Sequence, residues 1–232
     1  MMVATSDLIK YILYLLYILI PILALYFGYL ILTKAFRYMG FSSFEAFIIV
    51  VASIIFGFPI IIFGLNISNI TLFSYNGWII GINTSGAIIP IILSIFLIFK
   101  KKINLTHILI GIIIVTIVTF LVTKAEPEKG IVSYFPYWLL PAFFASISSI
   151  ILLRKDVIRG APLAYISSTF GVLIGADFLH LPELLRYPPT RVGTTAIIGG
   201  AFVLDMIFIT GVIAVLAYGI LMYRQRSRLH LS

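Results

Sequence analysis

The feature that most constrains this chain is its series of long, uninterrupted apolar runs. The first extends from Tyr11 to Thr33 without a single charged residue. About 20 apolar residues in a helix match the hydrocarbon thickness of a bilayer. A water-soluble domain has nowhere to put several such runs. Only 10% of the 232 residues are charged, against about 25% in soluble domains. The same apolar content excludes a disordered chain, and runs without alternation exclude a transmembrane β-barrel. The sequence contains no cysteine, which removes disulfides, thiolate metal sites and thiol catalysis. What remains is an all-α, polytopic integral membrane bundle.

Hydropathy places seven helices near 8–33, 44–65, 79–99, 105–123, 134–153, 160–181 and 197–223, in one transmembrane domain over 1–232. The first lacks a small-residue cleavage signal and reads as a retained span. Eleven of the 16 basic residues then fall on one side: Lys34, Arg37, Lys100, Lys101, Lys102, Arg154, Lys155, Arg159, Arg224, Arg226 and Arg228. Lys10, Lys124, Lys129, Arg186 and Arg191 fall on the other. That bias gives an N-out, C-in topology in a multi-pass cell-membrane protein. The net charge of +8 is therefore a topology signal, with no nucleic-acid partner implied. The outer loop carries two formal glycosylation sequons, at Asn66 and Asn69, a triplet that also arises often by chance.

Most of the acidic residues (Asp7, Glu45, Glu126, Glu128, Asp156 and Glu183) mark span ends or loops. Asp177 and Asp205 do not. A carboxylate inside a span costs about 2.5–3.5 kcal/mol on insertion scales, so it tends to face the bundle interior and to mark function, the alternative being a structural carboxyl hydrogen-bonded to neighbouring helices. Asp177 lies about four residues, roughly 6 Å, below the outer end of span six. The Gly199-Gly200 pair breaks span seven, which puts Asp205 roughly 9 Å deep in the same leaflet. Span three begins with Asn83, Thr84 and Ser85 between Gly81, Gly86 and Pro90, a broken, water-lined helix start. Polar groups from three spans thus converge on one outer layer. Asn83, Thr84, Ser85, Gly199 and Gly200 are its candidate substrate-binding residues, and Asp177 and Asp205 its candidate catalytic pair. On span six, Ala164, Ser168, Gly171 and Gly175 form a small-residue packing face.

Two carboxylates held together supply one acid and one base, the arrangement that activates water in aspartic proteases. The leading expectation is an aspartyl-type intramembrane peptidase acting on a transmembrane peptide or protein, without cofactor or metal. A proton- or cation-coupled transporter and a non-enzymatic membrane scaffold are the rivals. A metal set of Asp177, His180, Glu183 and Asp205 and a Ser85/His180 dyad are weaker alternatives, because Pro182 interrupts the first and the second lacks a preceding glycine. Neither the oligomeric state nor any partner beyond the bilayer and a substrate is legible.

Three segments carry a family resemblance: Gly81–Leu93 with Asn83, Gly86 and Pro90; Ala161–Leu181 with Ala164-Tyr165, Gly171 and Gly175-Ala176-Asp177; and Ile198–Tyr218 with Gly199-Gly200-Ala201, Asp205, Ile207-Phe208 and Thr210-Gly211. Together they resemble a prokaryotic membrane family catalogued as domain of unknown function sixteen-fourteen. Phe202, Leu204, Met206, Ser85 and His180 depart from its pattern. The resemblance implies a shared polar core of Asn83, Asp177 and Asp205 and brings no activity with it. The Ile174-Gly175-Ala176-Asp177-Phe178 segment is also similar, more weakly, to presenilin-like intramembrane aspartyl proteases.

Overall fold

The computed structural model describes residues 2–126, 128–154, 156–200 and 205–222. Expectations attached to Lys155, Ala201, Phe202, Leu204, Arg224, Arg226 and Arg228 lie outside them. The described chain is predominantly helical, with seven helices: α1 (Met2–Tyr38), α2 (Ser43–Phe56), α3 (Thr84–Lys101), α4 (Leu105–Val122), α5 (Tyr137–Leu152), α6 (Val157–Leu184) and α7 (Met206–Leu221). Leu13–Tyr38 of α1, and all of α3, α4 and α6, are long and apolar enough to cross a membrane. The other three helices are shorter.

Polar caps define where helices begin. Ser42 and Glu45 form a reciprocal capping box at α2. Asn104 caps α4 and Asp156 caps α6 by accepting first-turn N–H groups, which otherwise have no partner.

The expectation of an all-helical chain needs correction. Four strands precede α3: β1 (Ile61–Ile62), β2 (Leu65–Asn66), β3 (Asn69–Tyr75) and β4 (Trp78–Asn83). Then come β5 (Thr123–Glu126), β6 (Gly130–Ser133) and β7 (Thr194–Ile198). β3 and β4 pair antiparallel, and β7 joins β4 in parallel, giving the order β3-β4-β7. The cause is local. Asn76 and Gly77 hold φ of 48° and 84°, the two-residue hairpin turn that Asn-Gly favours. The flanking residues are β-branched and aromatic, which suits strands. Span three therefore starts as a strand, and its helix begins only at Thr84. Span two likewise ends as helix at Phe56, and its remainder enters the β1–β2 hairpin.

Short connections of three or four residues join α1 to α2, α3 to α4 and α5 to α6. All the strands lie in the alternate, longer connections. The bundle thus has one end of tight basic turns and an opposite end capped by sheets. α6 sits in the middle, buried almost continuously from Gly160 to Val172. Small residues permit this. A Cβ at Gly171 would meet Val115 of α4, and one at Gly175 would lie 2.6 Å from the Thr116 carbonyl oxygen. On the other side Ser146 donates a hydrogen bond to the Ala214 carbonyl of α7 at 2.7 Å, a polar tie of the kind that joins apolar helices.

Candidate functional site

The two carboxylates arrive at the sheet-capped end by different routes. Asp177 lies in a π-helical stretch of α6, Leu173–Phe178, a wider turn that often re-aims a side chain at a site. Asp205 is the N-cap of α7: its backbone is extended, and its Oδ2 accepts from the Ile207 N–H at 3.2 Å. The sequence-based depth for Asp205 is thereby corrected. It stands just before the first turn of α7, because the glycine pair belongs to a strand-end turn. An Asp before a long apolar run is an N-cap signal.

β7 leads directly into that turn. Gly199 and Gly200 have φ of 79° and 65°, two successive left-handed residues that side-chain-bearing residues adopt only at a cost. The Gly200 N–H donates to Ile197 O at 3.0 Å, and the Gly199 N–H donates to Asp177 Oδ2 at 3.0 Å. A Cβ at Gly200 would collide with Asp205 Oδ1. The glycine turn is therefore wedged between the two acids, in contact with each.

Asp177 and Asp205 line one half-open cleft of about 240 Å³, with Gly200, Thr195–Ile198 of β7, Leu181 and Leu184 of α6, and Lys129–Ile131 of the β5–β6 hairpin. Both carboxylates are half-buried. Among the described residues neither is paired with a cation, and Asp177 Oδ1 has no hydrogen-bond partner. Lys129 at the rim is held 3.0 Å from Glu126. The Tyr134 hydroxyl donates to Glu126 at 2.6 Å; that bond and Lys129 together hold the Glu126 carboxyl below the usual carboxylate range. The hairpin thus presents its basic residue already paired, leaving the two aspartates without a cationic partner among the described residues.

The polar residues of span three sit behind the cleft, and their hydrogen bonds are internal. Asn83, fully buried, accepts from the Gly86 N–H at 2.6 Å and donates to Asn69 Oδ1 at 2.7 Å. Thr84 donates to Ile67 O, and Ser85 to Ser53 O at 2.7 Å. None of the three lines the cleft. They brace the start of α3, where Gly86 presses on the Gly199 carbonyl so closely that a Cβ there would clash. A chain of contacts thus links Asn83 to Asp177 through Gly86 and Gly199.

His180 stands apart as well. Its ring stacks on Phe120 with centroids 4.6 Å apart. Nδ1 lies 3.0 Å from Glu183 Oε2, and Nε2 lies 3.2 Å from Phe120 O. Both ring nitrogens are engaged, the second with a carbonyl in the last turn of α4. Among the described residues no group of three or more His, Asp and Glu side chains is gathered for a metal, and no hydrogen bond joins Ser85 to His180.

No curated protein and no solved structure matches the chain, and these comparisons give no support to the presenilin-like similarity. One family model does match, described as a protein of unknown function (DUF1614), over residues 59–217. Those residues include Asn83, Gly86, Asp177, the glycine turn and Asp205. With well over half its length matched, the chain belongs to the DUF1614 family of proteins of unknown function.

Proposed function

We propose that this protein is a multi-pass membrane hydrolase of the two-carboxylate kind, cleaving peptide bonds at the sheet-capped end of its bundle. The observation that carries the reading is the shared cleft of Asp177 and Asp205, neither of them offset by a cation among the described residues. In the hydrolytic step one carboxylate takes a proton from water as the water oxygen bonds to the substrate carbonyl carbon. The protonated carboxyl gives its proton to the carbonyl oxygen. Collapse of the tetrahedral species returns a proton to the amine as the C–N bond breaks, so one water is consumed and an acid and an amine leave. Asp177 is held by the Gly199 N–H and Asp205 by the Ile207 N–H. Each can therefore keep its orientation while exchanging a proton.

Orientation follows from charge. Lys34, Arg37, Lys100, Lys101, Lys102, Arg154 and Arg159 gather at the end of tight turns, and such residues stay cytoplasmic. The cleft then opens on the outer face of the cell membrane, with seven spans running N-out to C-in. Three spans are short for a full bilayer, and the sheets would complete their layer at the outer interface.

A second reading has its own support. Thr116, Thr119, Ser167, Ser168, Thr169 and Thr210 carry buried hydroxyl oxygens with no partner among the described residues. Polar groups of this kind inside a bundle also serve ion or proton passage. One experiment separates the two. Reconstituted into liposomes, the protein should cleave a membrane-anchored reporter with an extended apolar segment outside its anchor, and should not dissipate a proton gradient. Gradient-dependent flux without cleavage would establish the transporter instead.

A further inference from the structure

We infer that the cleft binds its substrate as an added β-strand, an extended apolar polypeptide segment pairing along β7. β7 is an edge of the β3-β4-β7 sheet, and β6 is an edge of its own two-stranded sheet. The cleft lies between them, walled by Thr195, Ala196, Ile197 and Ile198 on one side and by Gly130 and Ile131 on the other. Backbone N–H and C=O groups alternate in direction along a strand, so part of those on β7 face away from β4; the Ile197 carbonyl is already taken by the Gly200 N–H, and four successive β7 residues line the cleft. A strand edge without a neighbouring strand is a template for an extended chain, which supplies the same groups in complementary order.

The occupant follows from the lining. Only a polypeptide backbone offers donors and acceptors at the strand repeat. Gly130, Thr195 and Ala196 leave room for side chains, while Ile131, Ile197, Ile198 and the Leu181 and Leu184 floor are apolar. β7 runs straight into Gly199 and Gly200, where Asp177 and Asp205 stand. At about 3.3 Å per residue, a segment paired over Thr195–Ile198 spans roughly 13 Å and brings its next peptide bond to the carboxylates. A transmembrane helix has its backbone groups internally satisfied, so the bound segment is one that has left helical form at the membrane surface. The inference deepens the hydrolase reading and rests on it only for what happens after binding.

The test uses the full-length protein in nanodiscs carrying both Asp177→Asn and Asp205→Asn. The amide oxygens can still accept from Gly199 and Ile207, and cleavage cannot consume the probe. The probe is a fluorescent ten-residue Val/Ala peptide with lysine ends, compared with the same peptide N-methylated at alternate residues. Loss of two or three backbone hydrogen bonds should weaken binding by about tenfold or more. Because the chain has no cysteine, Thr195→Cys adds a unique thiol, which the unmethylated peptide should protect from maleimide. Equal binding of the two peptides, no binding, or an unprotected thiol would overturn the inference. Methylation-sensitive binding to a wild type that never cleaves would leave strand docking standing and remove the hydrolase reading. Cleavage of both peptides at equal rates would do the reverse.

Discussion

Replacing Gly86 with alanine tests how the carboxylate is held. A Cβ at Gly86 would lie 3.0 Å from the Gly199 carbonyl carbon and nearer still to its oxygen, with Asn83 Oδ1 at 3.3 Å. The obstacle is backbone, so it cannot rotate out of the way. Either α3 or the glycine turn must shift. Overpacking of this sort costs about 1–3 kcal/mol. If the turn yields, Asp177 also loses the Gly199 hydrogen bond, worth about 1.5–3 kcal/mol for a charged acceptor. A loss near 3 kcal/mol corresponds to a drop of roughly 6–12 °C in Tm for a chain of this size. Gly28→Ala is the control: nothing lies within 4 Å of its Cβ, and alanine is the better helix former by about 1 kcal/mol. Thermal unfolding of both variants in detergent, followed by circular dichroism, reads the difference. If Gly86→Ala melts no lower than the wild type, the contact between α3 and the glycine turn is wrong.

Other expectations follow from the same geometry. Asp205→Ala removes the cap of α7 and should cost about 1 kcal/mol, whereas Asp205→Asn keeps it; chemical denaturation of both variants checks the pair. Gly77→Ala forces a side chain onto a φ of 84° and should destabilise the β3–β4 hairpin by about 1–2 kcal/mol, seen as faster amide exchange at Trp78–Asn83. For topology, Phe63→Cys lies on the exposed β1–β2 turn and Lys102→Cys at the basic end. An impermeant maleimide should label the first in intact cells and the second only after permeabilisation. The reverse pattern would invert the orientation.

Hydropathy was enough to find the apolar helices, and the cost of burying charge was enough to single out Asp177 and Asp205. The strands escaped because Trp78–Ile98 carries no charge anywhere along it, and hydropathy averages over a change from period two to period 3.6. The Asn76-Gly77 dipeptide between β-branched runs was the signal that marked the hairpin. Gly199-Gly200 did announce a break, but the break closes a strand and precedes the helix by five residues. Asn83 was legible as polar and misplaced, yet it resides outside the cleft as the brace of Gly86. No pattern in the sequence pairs β7 with β4, since a parallel ladder across more than 110 residues has no local signature.

The central claim is that Asp177 and Asp205 act as one unit. A double-mutant cycle measures it: cleavage of the membrane-anchored reporter by the wild type, Asp177→Asn, Asp205→Asn and the double variant, all checked for native unfolding. Groups that share one proton-transfer step are strongly non-additive. Each single variant should lose cleavage to the same floor as the double, with the fold intact. Cleavage that survives in either single variant, or losses that simply add, would contradict it.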